Sequence, residues 1–279
     1  MSAPGRIATF AAALVLVGAA AALAGGAVDP DRDADDRQRG AKPGGEHAEP
    51  AGEHGAGQRQ IRGLAVAEDG LRLVVDDAEL RPGRRERLAF RIVDDRGVTV
   101  RDFDVEHEKR MHLILARRDL TGFQHLHPQQ AADGSWTTDV TLDEAGSYRV
   151  FADFARDGES HTLGADLRVD GSADLRPLPA PAPTARSDGG YDVALERAGT
   201  ELRFTITRDG ERVETEPYLG AGGHLVVLRE GDLAFLHVHP NDDGVAFETE
   251  LPTPGRYRLF LQFQHEGRVH TVAFTEVVR

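Results

Sequence analysis

The 279-residue chain carries 47 acidic and 33 basic residues, a net charge of −14, and so has no basic footprint for nucleic acid or anionic lipid. It contains no cysteine, which excludes disulfides, thiolate metal sites, cysteine nucleophiles and a lipid-modified N-terminal cysteine. Hydrophobic residues make up 40% and charged residues 29%, enough apolar content for globular structure; the length suits two domains, and a metal site must draw on His, Met or carboxylates.

The chain opens with Arg6, an apolar run from Ile7 to Leu23 and a small-residue exit at Ala22-Leu23-Ala24. Residues 1–24 therefore read as a cleaved signal peptide or, if retained, a membrane anchor, and either places the remainder outside the cytoplasm. Residues 25–60 are rich in Asp, Gly, Glu, Arg and Pro without apolar periodicity, which predicts a disordered tether with His47 and His54 solvated. Short apolar runs then follow, among them Leu71–Val75, Leu88–Val93 and Met111–Ala116, punctuated by Gly, Asp and Pro; they predict a first β-domain over 61–170. A Pro-rich stretch around Pro179-Ala180-Pro181 predicts an extended linker over 171–187, and a second β-domain fills 188–279.

An internal repeat organises the chain. MHLILARRDLTGFQHLHP at 111–128 aligns without a gap on GHLVVLREGDLAFLHVHP at 223–240, and AGSYRVFADFARDGESHT at 145–162 aligns on PGRYRLFLQFQHEGRVHT at 254–271. The fold expected is all-β: two tandem Ig-like or cupredoxin-like sandwiches produced by an internal duplication.

Eight of the twelve histidines fall at four matched positions of the repeat: His112, His125, His127 and His161 in the first copy, and His224, His237, His239 and His270 in the second. A two-residue hairpin loop at Arg118-Asp119 or Glu230-Gly231 sets His112 opposite His125 and His224 opposite His237, with His127 and His239 on the same face. That face also carries Val226, Leu228, Leu233 and Phe235, so it is expected to look into its own sandwich core. The last hairpin sets His161 opposite Phe154 and His270 opposite Phe263, and these two join the clusters if both hairpins line one core. Asp153 and Gln262 face away from the inferred core and are expected on a solvated sheet face, the alternative being that they hold the ligand histidines; His107 and His265 are expected solvated or locally hydrogen-bonded, and Met111, replaced by Gly223 in the second copy, is not a ligand. Imidazoles on adjacent strands suit copper or zinc, and without cysteine the site cannot be a His₂Cys blue-copper centre. The structural alternative is that these histidines hydrogen-bond to one another and to backbone carbonyls.

The run Lys109-Arg110-Met111-His112-Leu113-Ile114, followed by Asp119-Leu120, Phe123, His125, Leu126, His127 and Pro128, resembles the motif of bacterial secreted or envelope proteins described as heavy-metal-binding, and is similar to YtkA-like and cupredoxin-like sandwiches. The resemblance covers the first repeat well and the second in part, and implies envelope copper or heavy-metal handling. The function expected is an exported, noncatalytic metal-binding protein with copper as cofactor, zinc or none being the alternatives. The other reading is a structural or partner-binding envelope module with packing histidines. Expected partners are a metal ion and another envelope protein, with the membrane engaged only through an N-terminal anchor. No nucleophile elbow, H-E-x-x-H or phosphate loop is present, so no enzyme is expected.

Overall fold

A computed structural model describes residues 61–279, except His237, Asp242, Asp243 and the side chain of His239. The expected export segment and tether, 1–60, lie outside the described residues. Every regular element among the described residues is a strand, and none of those residues forms a helix long and apolar enough to cross a membrane.

The first repeat runs β1 (Ala67–Glu68), β2 (Leu71–Val75), β3 (Glu79–Leu80), β4 (Arg85–Asp94), β5 (His112–Arg117), β6 (Gln124–Leu126), β7 (Gln129–Gln130), β8 (Trp136–Thr141), β9 (Gly146–Arg156) and β10 (Glu159–Val169). The second runs β11 (Thr184–Arg186), β12 (Asp192–Ala198), β13 (Glu201–Arg208), β14 (Glu211–Arg212), β15 (His224–Arg229), β16 (Phe235–Leu236), β17 (His239–Pro240), β18 (Ala246–Glu248), β19 (Gly255–His265) and β20 (Arg268–Val278). Sheet order β1-β2-β4-β8-β7 in the first repeat reappears as β11-β12-β13-β18-β17 in the second, and β10-β9-β5-β6 reappears as β20-β19-β15-β16. The same strand order in both halves is the structural form of the duplication. Strand β11 lies inside the stretch expected to be linker, and Leu178 of that stretch is buried.

Alternation builds each core. In β4, Leu88, Phe90 and Ile92 point inward from every second position, and the first core joins them to Leu113, Leu115, Val150 and Phe154 of the opposite sheet. The second core repeats the arrangement with Phe204, Val227, Leu259 and Phe274. Tyr148 donates its hydroxyl to the Glu144 carbonyl at 2.9 Å and Tyr257 to the Thr253 carbonyl at 2.8 Å, the tyrosine corner of Ig-type sandwiches, present once in each repeat.

Strand β5 is buried at all six positions because both of its faces are covered. Leu113 and Leu115 face their own core, while Ile114 and Ala116 join Phe151 and, from the second repeat, Val226, Leu228, Phe235 and Phe260 in a third apolar cluster. Both repeats lie in one compact unit, joined through this cluster. The face carrying Val226, Leu228, Leu233 and Phe235 was expected to look into its own sandwich; it packs against the other one instead. Phe123 stacks on Phe260 with ring centres 4.1 Å apart, and Phe151 meets Phe235 at 5.6 Å. Phe123 and Phe235 are repeat equivalents, as are Phe151 and Phe260, so the two contacts are the same contact made twice. Such reciprocity is the signature of an isologous interface, here within one chain.

Residues 62–65 brace the joint. Gly63 N–H donates to the Thr162 carbonyl at 3.0 Å, Gly164 N–H to Ala65, and Phe235 N–H, across the interface, to Arg62. Gly63 has φ +73°, and a Cβ there would lie 2.7 Å from the Phe151 ring and 3.0 Å from Phe235. Gly63→Ala is expected to cost about 2–4 kcal/mol in denaturant unfolding, combining left-handed strain with overpacking. Gly70→Ala, at φ +74° but with open space around it, should lose only the strain, about 1 kcal/mol; equal losses would show that the contact with Phe151 yields freely.

Candidate metal site

The hairpins carrying the histidines have longer loops than expected. Between β5 and β6, Leu120 (φ +63°) and Gly122 (φ +61°) take left-handed conformations, and Asp119 anchors the turn by accepting from Thr121 N–H at 3.2 Å and from the buried Arg117 guanidinium. The register therefore pairs Ile114 with His125, so that continuing the ladder sets His112 level with His127, two residues away from the expected pairing with His125. Pairing of Val227 with Leu236 shows the same two-residue slide in the second repeat. An even slide keeps every side chain on its face, which is why the first-repeat histidines still meet.

His112, His125 and His127 converge so that one ligand nitrogen from each lies within 4.8 Å of the others. Their ring centres are 5.2, 5.1 and 4.9 Å apart. Three imidazoles on one ion, with metal–nitrogen bonds of about 2.0 Å at tetrahedral angles, place their ring centres about 5 Å apart.

Hydrogen bonding sets where the ring protons sit. His112 Nε2 lies 3.2 Å from the Glu106 carbonyl, an oxygen that only accepts, so Nε2 carries the hydrogen and Nδ1 is a bare lone pair. Gln262 Nε2 donates to Thr271 Oγ1 at 3.3 Å and turns Oε1 toward His125 Nδ1 at 2.7 Å, which puts the His125 hydrogen on Nδ1 and leaves Nε2 bare. Those two bare nitrogens, His112 Nδ1 and His125 Nε2, lie 3.0 Å apart. Two lone pairs at that distance repel unless a cation, a proton or a metal ion, sits with them.

A proton is disfavoured there. Burial drives the His125 pKa well below the ordinary value and lowers that of His112, and it brings His127 and His224 to about 4, with neighbouring imidazoles pushing the same way. Neutral imidazole is the ligand form. His127 Nε2 and His224 Nε2 are buried with no hydrogen-bond partner among the described residues. Asp153, half-buried in the same cleft, is raised to about 6 by burial and accepts from Thr162 Oγ1 at 2.6 Å.

His161 and His270 do not join. Both hairpins of a repeat belong to one sheet, side by side through the pairing of β5 with β9 or of β15 with β19, so they do not line a core from opposite sides. His112 pairs with Asp153 on one face, whereas His161 pairs with Phe154 on the other. His161 stacks on Phe154 at 5.4 Å with Asp69 4.0 Å away, and His270 packs on Tyr191 at 4.6 Å with Asp188 3.6 Å away. Of the other second-repeat candidates, His237 and the His239 side chain lie outside the described residues, and His224 sits with the first-repeat histidines. His265 is hydrogen-bonded to the Tyr191 hydroxyl of its own repeat at 2.8 Å, a partner distant in sequence.

Gln262 and Asp153, expected on a solvated face, and His107, expected solvated or locally hydrogen-bonded, border the cluster. Gln262 orients His125, Asp153 lines the cleft, and His107 lies 5.2 Å from His224 and 6.2 Å from His112, ring centre to centre. The signal that could have found them is the unbroken apolar run of β5 and of Leu225-Val226-Val227-Leu228, which marks strands covered on both faces.

No curated protein matches the chain. Among solved structures it is similar to a Salmonella α2-macroglobulin reacted with methylamine (15% identity, 77% of this chain, TM-score 0.29), of whose length it spans 15%. It is also similar to the Escherichia coli adhesin FdeC (12% identity, 75% of this chain and 65% of that one, TM-score 0.26) and to a two-domain fibronectin type-III segment of chicken tenascin (11%, 74% and 97%, 0.22). The sequence profile of a domain of unknown function, DUF8832, matches residues 65–171 and again 185–279, and the chain belongs to that family, carrying its domain twice.

Proposed function

We propose that this chain is a noncatalytic, extracytoplasmic metal-binding protein whose ion is held by His112, His125 and His127. The observation that carries the reading is the pair of bare nitrogens 3.0 Å apart, each fixed as a lone pair by a partner on its far side. Second partners of this kind, a backbone carbonyl on one imidazole and a side-chain amide on another, orient metal-ligating histidines and raise their basicity. Copper is favoured over zinc because an all-nitrogen site ranks Cu²⁺ above Zn²⁺. The extracytoplasmic placement rests on the apolar N-terminal run and its small-residue exit.

Titrating the full chain with Cu²⁺, Cu⁺ and Zn²⁺ tests it. Tight copper binding that raises the melting temperature, and falls at least a hundredfold in His125→Ala, is the expected result. A chain that binds none of the three, or a variant that binds equally well, leaves the histidines as packing groups and the protein as an interaction module.

A further inference from the structure

We infer that His224 is a fourth ligand to the same ion, so that the metal bridges the two repeats. The inference rests on the metal reading above and adds the second repeat to the site.

His112 and His224 are repeat equivalents, each the first residue of its strand, and the reciprocal interface brings them face to face with ring centres 6.2 Å apart and planes 25° apart. His224 lies 6.1 Å from His125 as well. Four imidazoles on one ion at tetrahedral angles need ring centres about 5 Å apart, so His224 stands roughly 1 Å too far from His112 and from His125, a distance that rotation about its side-chain torsions covers. Its Nε2 is buried without a partner among the described residues. A buried nitrogen left unpaired is destabilising, and a metal bond removes that penalty.

The surroundings supply what a divalent ion needs. Glu106 and Asp153 border the cleft and bring negative charge, and Gln262, from the same repeat as His224, already holds His125 in its ligating tautomer. The second repeat thus contributes one ligand and one orienting group to a triad that belongs to the first. Duplication has in this way produced a joint locked by an ion at its reciprocal axis, and the stoichiometry follows: one ion of this kind per chain.

The experiment compares the full chain with His224→Gln and His224→Ala by Cu²⁺ titration and electron paramagnetic resonance. In the wild type, four coordinated nitrogens and one tight equivalent are expected; in both variants, three nitrogens and an affinity lower by about tenfold or more. Wild-type nitrogen counts do not depend on how a variant folds, so three nitrogens there overturn the bridge outright. Unchanged affinity and nitrogen count in a folded His224→Gln also overturn it while leaving the triad standing. A wild type that binds no metal removes the underlying reading, and the bridge with it.

Discussion

Acidification is expected to unfold the metal-free protein over a window between about pH 6.5 and pH 4, with an onset well above the range in which surface carboxylates titrate. An unfolded histidine takes up its proton near pH 6.5. In the fold, burial holds His127 and His224 to about 4, and His112 and His125 are also depressed. Between those values the unfolded chain binds protons that the native chain refuses, so stability is full above about pH 6.5 and falls as pH drops toward the folded values. Each such histidine contributes a slope of up to about 1.4 kcal/mol per pH unit. Asp153 acts with the opposite sign: its raised value, about 6, means that the fold gains stability as this carboxyl protonates, which cancels roughly one histidine's share. The remaining slope, about 1.4 kcal/mol per pH unit from His127 and His224 and steeper with His112 and His125, accumulates over the window to a large part of a total stability of about 5–15 kcal/mol. Urea melts in chelator at pH 7, 6, 5 and 4 check this, and a midpoint unchanged to pH 4 would mean that the imidazoles are solvated in the native protein. Bound metal competes with the same protons, so copper should move the onset of unfolding to lower pH.

Much of this architecture could be read from residues alone. The gapless match of 111–128 to 223–240 predicts the duplicated all-β fold, and the shared strand order of the two halves, differing only in the short strands β3 and β14, follows from it. The pairings of His161 with Phe154 and His270 with Phe263 were legible because Asp157-Gly158 and Glu266-Gly267 leave little freedom to a two-residue turn. The hairpins after β5 and β15 were not, because their turns depend on left-handed Leu120 and Leu233, conformations that leucine adopts only when side-chain pairs within the turn, Arg117–Asp119 and Arg229–Asp232, hold them. Which way the histidine face looks also escaped the sequence. Alternation tells which side chains share a face, and only packing decides whether that face meets its own sandwich or the neighbouring one. His161 and His270 join the clusters only where the two hairpins face each other across a core; adjacency within one sheet separates them. Gln262 and Asp153, sharing a face with apolar Phe260 and Phe151 on β19 and β9, carried the clue that this face is not solvated.

Phe260→Ala is expected to cost about 3–5 kcal/mol and to weaken metal binding together with stability. Its ring stacks on Phe123 at 4.1 Å and is 4% exposed, so truncation opens a cavity in the joint between the repeats and leaves both sandwich cores intact. The same strand carries Gln262 two residues on, and β15, its neighbour, carries His224. Loosening the joint therefore frees His125 from its amide partner and moves His224 away from the triad. Phe204→Ala removes an equally buried ring from the second core, against Phe247 and Phe274, and should lower the melting temperature comparably while the joint stays closed. Paired measurements of melting and copper affinity separate the two effects. Affinity lost in Phe260→Ala and kept in Phe204→Ala ties the site to the interface, whereas equal affinity in both would place the whole site within the first repeat. Because a ligand that binds the closed arrangement must by linkage favour that arrangement, the first outcome also requires copper to raise the melting temperature of wild type more than that of Phe260→Ala.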